Sequence, residues 1–349
     1  MITFFSTEHQ RHHGVELKDA AIKPSFENPG RADTILQQVR QAALGDIQPG
    51  RAHDSALYVG AHSERYVRFL QQAWADWTAT GQTHDALPLI WPVRDLRSDL
   101  EPATIDGRLG FYSMDAGSPI TAGTWAAVSA SADLALTGVQ TVLDGAPSAF
   151  ALCRPPGHHA GPEMMGGYCY LNNAAIAAHH ARRQGVQRVV VLDVDFHHGN
   201  GTQSIFYGRD DVLVVSLHGD PVHCYPYFSG HADETGAGAG QGFNLNLPLP
   251  KGTAWPVYRD ALGVAAQRVR TFAPELLVVS LGVDTFEHDP ISHFRLASAD
   301  FVRLGEALAG WGLPTLFVME GGYMVDDIGR NVVNVLQGFE AGAAGAQPL

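Results

Sequence analysis

Four short apolar runs in this 349-residue chain, SAFALC, RVVVLDV, ELLVVSLGV and TLFVME, are each followed by a residue that can bind a metal or handle a proton. Each run is rich in β-branched or bulky side chains and bounded by polar or turn residues, the pattern of a buried strand. Just past them stand His158 and His159, then Asp195 and His197, then Asp284, then Tyr323. In an open parallel α/β sheet, loops at the carboxyl ends of the strands converge on one crevice. Residues far apart in sequence can therefore meet there. Helix-like stretches between the runs, NNAAIAAHHARRQ and VYRDALGVAAQRVRTFA, supply the alternation such a sheet requires.

The length fits one large α/β domain as well as two of ~150 residues, and no linker splits it, so a single domain over residues 1–349 is expected. Residues 2–5 read as a first strand, 62–77 as a helix whose Trp74 and Trp77 belong to core or interface, and Trp125–Thr137 as a helix leading into the first site strand. Between 78 and 121, Pro88, Pro92, Pro102 and Pro119 interrupt any periodic element. A long irregular insertion of this kind serves as a rim, lid or assembly loop. GAGAGQG at 236–242 does not join a strand to a helix N-terminus, so it reads as a flexible loop and not a phosphate cradle. The small-residue tail 341–349 is expected to fray.

Cys153, Cys169 and Cys224 are odd in number and form no C-x-x-C pair, which argues against a disulfide framework or a thiolate zinc site. A cytoplasmic, reducing location is the expectation. The N-terminus lacks a leader-like apolar run, and no stretch reads as a membrane span of ~18 apolar residues. A net charge of −13 argues against nucleic-acid binding, which runs on Lys and Arg, and suits a cationic substrate.

Alternate side chains of an extended segment point the same way, so Asp195 and His197 in DVDFHHGNG can reach one ion together. Asp284 completes a set of three ligands that leaves a position open for water, the mark of a catalytic zinc site. Zinc lowers the pKa of water to ~7, and a nearby base can take the proton as attack proceeds. His158 and His159 supply that base, with Asp193 and Asn200 as partners that fix ring orientation and tautomer. His198 should face away from His197 and be structural. Glycines 321 and 322 permit the turn that swings Tyr323 into the crevice, where its hydroxyl can polarise a carbonyl and hold an oxyanion. Iron(II) suits the same ligands.

Together RPPGHHA, GGYC, LDVDFHHGNGTQ, SLGVD and MEGGY resemble the zinc-dependent deacetylase family, which includes histone deacetylases and acetylpolyamine amidohydrolases. The match is tight over about 150–340 and looser before it. The resemblance implies an arginase/deacetylase-like α/β fold, zinc at Asp195, His197 and Asp284, His159 as general acid and base, His158 as its electrostatic partner, and Tyr323 on the carbonyl. It also implies potassium near Asp193, Asp195, His197, Ser216 and Leu217. Gly167, Tyr168 and Tyr225 would wall a narrow channel, and the insertion would pair subunits into a homodimer that keeps folded proteins out.

The reading is an amidohydrolase that releases acetate from small acetylated amines such as acetylputrescine and acetylcadaverine. Its alternatives are a protein or peptide acetyl-lysine deacetylase, a two-manganese ureohydrolase, and a silent acetyl-amine binding protein. The second lacks a bridging carboxylate, since glycine stands at 282 in SLGVD; the third would lack a ligand or the tyrosine, and neither is missing. Glu16, Asp106 and Asp115 are the acidic candidates for a distal ammonium. Gly117 stands where the polyamine enzymes would carry a rim glutamate, and Asp106 is shorter than the glutamate expected. Selectivity among diamines, longer polyamines and acetyl-lysine therefore stays open.

Overall fold

The four runs become four neighbouring strands at the centre of one sheet. The structure is a computed structural model that describes residues 1–18 and 20–345. Along the chain the strands are β1 (Ile2–Phe5), β2 (Val15–Lys18), β3 (Ala21–Pro24), β4 (Ile47–Pro49) and β5 (Ser148–Ala151). They continue with β6 (Val189–Asp193), β7 (Val212–Gly219), β8 (Asn244–Leu249), β9 (Leu276–Leu281) and β10 (Thr315–Met319). Eight of them form a parallel sheet in the order β4-β1-β5-β10-β9-β6-β7-β8. β2 and β3 form a separate antiparallel hairpin. β5 and β6 follow one another in sequence, yet β10 and β9 later fill the space between them. This interleaving sets the tandem histidines and the DVDFH segment on either side of the loops that carry Asp284 and Tyr323.

The helices are α1 (Gly30–Gln41), α2 (Glu64–Ala79), α3 (Ile105–Phe111), α4 (Thr124–Leu143) and α5 (Asn173–Arg183). The rest are α6 (Asn200–Phe206), α7 (Trp255–Phe272), α8 (Ser298–Ala309) and α9 (Val325–Gly345). They cover both faces of the sheet, which is why the central strands are continuously apolar and do not alternate with polar residues. Val189 and Val191 enter one core with residues of α2, α4 and α5. Val190 and Leu192 enter the other, with residues of α1, α7, α8 and α9. The α/β expectation is met with these three layers.

Two expectations change. α4 is a 20-residue helix apolar enough by composition to cross a membrane, contrary to the reading of the sequence. Its side chains fill the core beneath the sheet, including Val128, Leu134, Leu136 and Val139, so its apolarity is that of an internal helix. The tail does not fray from 341, because α9 runs to Gly345; residues 346–349 lie outside the described residues. The insertion holds the short helix α3, capped by Thr104 Oγ1 on the Gly107 amide, while 80–104 contains no helix or strand. β7 was not read from the sequence as a strand of the site, although VLVVSLHG is buried at every position.

Buried histidines tie the N-terminal half to the loops below the crevice. His62 Nδ1 donates to the Gly161 carbonyl at 2.8 Å, and its Nε2 accepts the Asn172 amide at 2.8 Å. Burial lowers its pKa from 6.5 to about 4, and burial lowers His12 likewise to about 4. Between pH 6.5 and 4 the unfolded chain binds protons that the folded chain refuses, so stability rises with pH through that window. The melting temperature should therefore fall as pH drops from 6.5 towards 4, and His62→Gln, measured by calorimetry, should flatten part of that slope while lowering stability at pH 8.

Candidate active site

The segment after β6 folds on its own aspartates. Asp193 Oδ1 accepts the Asp195 amide at 3.1 Å, and Asp195 Oδ1 accepts the His197 amide at 2.9 Å. Side chains that bond an amide two residues on build a turn in place of a continued strand. Asp284, beyond β9, accepts the Phe196 amide at 2.7 Å, and the Gly321 amide, beyond β10, donates to Asp195 Oδ2 at 2.7 Å. Three strand ends are thus stitched together by the carboxylates that could hold an ion.

Donor atoms of Asp195, His197 and Asp284 all lie within 4.8 Å of one another and are buried. His197 Nδ1 stands 2.8 Å from Asp284 Oδ2 and 3.3 Å from Asp195 Oδ1. Donors sharing one tetrahedral ion through ~2.1 Å bonds stand about 3.4 Å apart, so small adjustments admit a metal. The electrostatics of the site point the same way. Burial alone would lower His197, but its hydrogen bonds to Asp195 and Asp284 overrule burial and raise it to about 10. Burial and the charge of Asp195 raise Asp284 to about 8. Protons held this firmly between carboxylates mark where a cation would be stabilised.

Position 282 offers no bridging ligand for a second ion in this cluster. A Cβ on Gly282 would lie 2.1 Å from Asp195 Oδ2, and one on Gly321 would lie 2.4 Å from it and 2.8 Å from Asp284 Oδ2. Glycine is needed at both positions for this close approach, and a side chain at 282 could not bridge a second ion.

The tandem histidines sit on a loop held from below. Glu320 Oε2 accepts the amides of Gly157 at 2.7 Å and His158 at 3.1 Å, and Ser280 Oγ donates to Oε1 at 3.2 Å. Burial pushes Glu320 up to about 7. The amides of Gly201 and Thr202, at the start of α6, donate to the His158 carbonyl at 3.1 Å each. Gly157 is required because a Cβ there would meet the Asn173 amide at 2.5 Å.

The two rings then find opposite partners. His158 Nδ1 lies 2.9 Å from Asp193 Oδ2, and His159 Nδ1 lies 2.7 Å from Asn200 Oδ1. Burial opposes the charged form of His158, but Asp195 and Asp193 outweigh it and raise the pKa well above 6.5. Burial, with the charges of His158 and His197, drives His159 well below 6.5. One ring is held as a cation and its neighbour as a neutral base, the separation that acid–base chemistry needs. The Asn200 amide oxygen only accepts, so His159 carries its proton on Nδ1 and turns the Nε2 lone pair to the cavity. His198 faces away, its ring tilted 57° to that of His218 with centroids 4.6 Å apart.

Tyr323 lines the same cavity as His159. Its amide donates to Asp289 Oδ2 at 2.7 Å, and the Arg31 guanidinium lies over its ring at 4.8 Å. Burial pushes its phenol well above 10, so it remains a donor. Arg31 also donates to the carbonyls of Gly322 at 2.6 Å and Glu320 at 2.5 Å, and to Glu27 at 2.8 Å. Glu27 pairs in turn with Arg154 at 2.8 Å. Arg31, Glu27, Arg154, Asp289 and the role of Glu320 were all missed in the sequence. Arg154 and Glu320 lie inside the RPPGHHA and MEGGY motifs and Asp289 follows SLGVD; Arg31 and Glu27 become visible only when the helix α1 region meets the strand ends.

A cavity of about 460 Å³ opens above these residues, with His159, His197 and Tyr323 at its base and Gly167, Tyr168 and Tyr225 on its walls. A Cβ on Gly167 would strike the His159 ring at 2.3 Å, and its φ is +54°. Glu16 lies on this cavity and accepts the Tyr168 hydroxyl at 2.7 Å. Asp115 lies there too, fully engaged: Oδ2 accepts the Tyr225 hydroxyl at 2.7 Å and the Gly167 amide at 2.9 Å, while Oδ1 accepts the Gly117 amide at 2.9 Å. It braces the wall. Asp106 is exposed on α3 and does not line the cavity. Ser216 pairs with Asp193 in the β6–β7 register and lies 2.7 Å from His218 Nδ1, and Leu217 follows it.

The fold and site define a metal-dependent hydrolase centre at the carboxyl edge of a parallel α/β sheet. A family model for the histone deacetylase domain matches residues 25–339, and the chain belongs to the histone deacetylase family. It is 55% identical to acetylpolyamine amidohydrolase 2 of Pseudomonas aeruginosa, over 97% of this chain and 99% of the relative. It is 45% identical to the acetylpolyamine amidohydrolase of Mycoplana ramosa, over 97% and 99%. A crystal structure of an acetylpolyamine aminohydrolase from Burkholderia pseudomallei superposes with a TM-score of 0.92 at 37% identity, covering 98% of this chain and 99% of that one.

Gly282→Ala, whose new methyl would displace the Asp195 carboxylate, should cut bound metal from about one equivalent to a small fraction of that. Mass spectrometry of the purified protein gives the metal content, and the far-UV spectrum checks that the fold survives.

Proposed function

We propose that the chain hydrolyses the acetyl amide of small acetylated amines, acetyldiamines and acetylpolyamines among them, in the cytoplasm. The observation that carries this is a neutral, Asn200-tethered His159 facing a three-ligand cluster and Tyr323 at the base of an aromatic channel whose mouth holds Glu16. Zinc is the ion proposed for Asp195, His197 and Asp284, and potassium is proposed beside Asp193 and Ser216. Two oxygens and one nitrogen fit zinc, with iron(II) an acceptable substitute. A divalent ion bound there would acidify water and polarise an amide carbonyl.

The chain's own residues do the rest. His159 receives a proton from water on Nε2 and returns it to the departing amine. His158, fixed as a cation by Asp193, stabilises negative charge as it develops. Tyr323 donates its hydroxyl to the carbonyl oxygen as the carbon becomes tetrahedral. Tyr168 and Tyr225 confine an alkyl chain, and an acid at the mouth attracts a distal ammonium.

A homodimer is part of the proposal. Leu89, Ile90, Val93, Leu96 and Leu100 of the insertion are exposed in the single chain, and Leu89 is 89% exposed. An exposed apolar group of this kind marks an interaction surface. Leu89→Asp with Leu96→Asp should shift the protein from dimer to monomer in sedimentation equilibrium; a wild-type monomer would defeat the proposal.

The zinc-loaded protein should release acetate from acetylputrescine and acetylcadaverine with kcat/KM orders of magnitude above that for an acetyl-lysine peptide. The reverse order would make the chain a peptide deacetylase. Tyr323→Phe should lower kcat by about 100-fold with little change in KM. His159→Ala that keeps full activity would defeat the mechanism.

A further inference from the structure

The mouth of the cavity carries a cation as well as an acid. Glu16, Leu17 and Lys18 of β2 all border it. Residues two apart on a strand share a face, and Glu16 and the half-buried Lys18 lie on the inward face while Leu17 is 55% exposed. Lys18 Nζ lies 4.4 Å above the Phe26 ring, which steadies an otherwise mobile side chain. A site built only for cationic tails would gain nothing from a lysine here, because like charges repel the ligand.

We propose that the mouth recognises a zwitterion, and that the substrates include free ω-N-acetylated α-amino acids with a four-carbon side chain, such as Nε-acetyl-lysine. This rests on the amidohydrolase reading above. The α-ammonium meets Glu16 and the α-carboxylate meets Lys18, about 7 Å further along the strand at 3.4 Å per residue. The Tyr168 hydroxyl bonds Glu16 while its ring lies 5.6 Å from that of Tyr323. The distance from the reacting carbonyl to the acid is therefore roughly that spanned by one tyrosine, which a short alkyl chain can cover. In the reaction the amide C–N bond breaks, the water oxygen joins the acetyl carbon, and a water proton passes to the leaving ε-amine. Acetate and lysine are released.

Acetylcadaverine is the matched probe, since it is acetyl-lysine without the α-carboxylate. A peptide carrying internal acetyl-lysine is the second, since amides replace both α charges. Acetate release by the zinc-loaded protein should give free acetyl-lysine a kcat/KM within about tenfold of acetylcadaverine and well above the peptide. Lys18→Ala should reduce the ratio of acetyl-lysine to acetylcadaverine by about fivefold or more, chiefly through KM, with the diamine rising because a like charge is gone. Lys18→Arg should restore the ratio. Glu16→Gln should weaken both charged substrates. A ratio that Lys18→Ala leaves unmoved, or a wild-type preference for the diamine beyond 100-fold, would overturn the zwitterion proposal and leave the amidohydrolase reading intact. Acetate from none of the three would overturn that reading itself.

Discussion

Asp193, Asp195, Asp284 and Glu320 are all at most 1% exposed and gather beneath one crevice, and the molecule is organised around offsetting their charge. Buried carboxylates are tolerable only when hydrogen-bonded, paired or metal-coordinated. Here main-chain amides do the first part: Asp195, His197, Phe196, Gly321, Gly157 and His158 each donate one. His158 does the second, paired with Asp193. The remaining negative charge, shared by Asp195 and Asp284, would be offset by a cation held between them. The sheet contributes by bringing β5, β10, β9 and β6 side by side, so that four loops can supply these donors at once.

The N-terminal region completes the site from outside the sheet. Arg31 joins α1 to the turn before Tyr323, and Glu27 joins Arg31 to Arg154 at the root of the histidine loop. Burying a pair of guanidiniums against one carboxylate is costly unless the hydrogen bonds are filled. Carbonyls of Gly322, Glu320 and His12 accept from these guanidiniums here. The network thereby fixes the two loops that carry Tyr323 and His159 relative to each other, across the space a substrate carbonyl would occupy. Precise placement of such donors matters more to catalysis than their number.

The channel follows the same economy. Asp115, which the sequence offered as a ligand for an ammonium, spends both oxygens on Tyr225 and on the amides of Gly167 and Gly117. A carboxylate with three donors orients a wall. Glu16 makes one such bond, to Tyr168, and lies beside a lysine, so the mouth presents both signs of charge. The hairpin β2–β3 therefore sets the charge at the mouth as much as the acidic residues do.

The sequence by itself determined the α/β class, the four central strands and which residues gather at the strand ends. Strand-length apolar runs and the residues that end them are local patterns, and Asp-x-His, Pro-Pro-Gly-His-His and Glu-Gly-Gly-Tyr each place a side chain within a few residues of a strand end. Tertiary structure decided which groups share a neighbourhood. It set Glu320 under the histidines, Arg31 over the tyrosine ring and Asp106 away from the cavity, and it buried α4 in the core although its composition alone would suit a lipid. Those outcomes turn on contacts across more than a hundred residues, where neither spacing nor periodicity carries information. The same reason covers β7, a continuously apolar run that a sheet interior explains only once its neighbours β6 and β8 are in register.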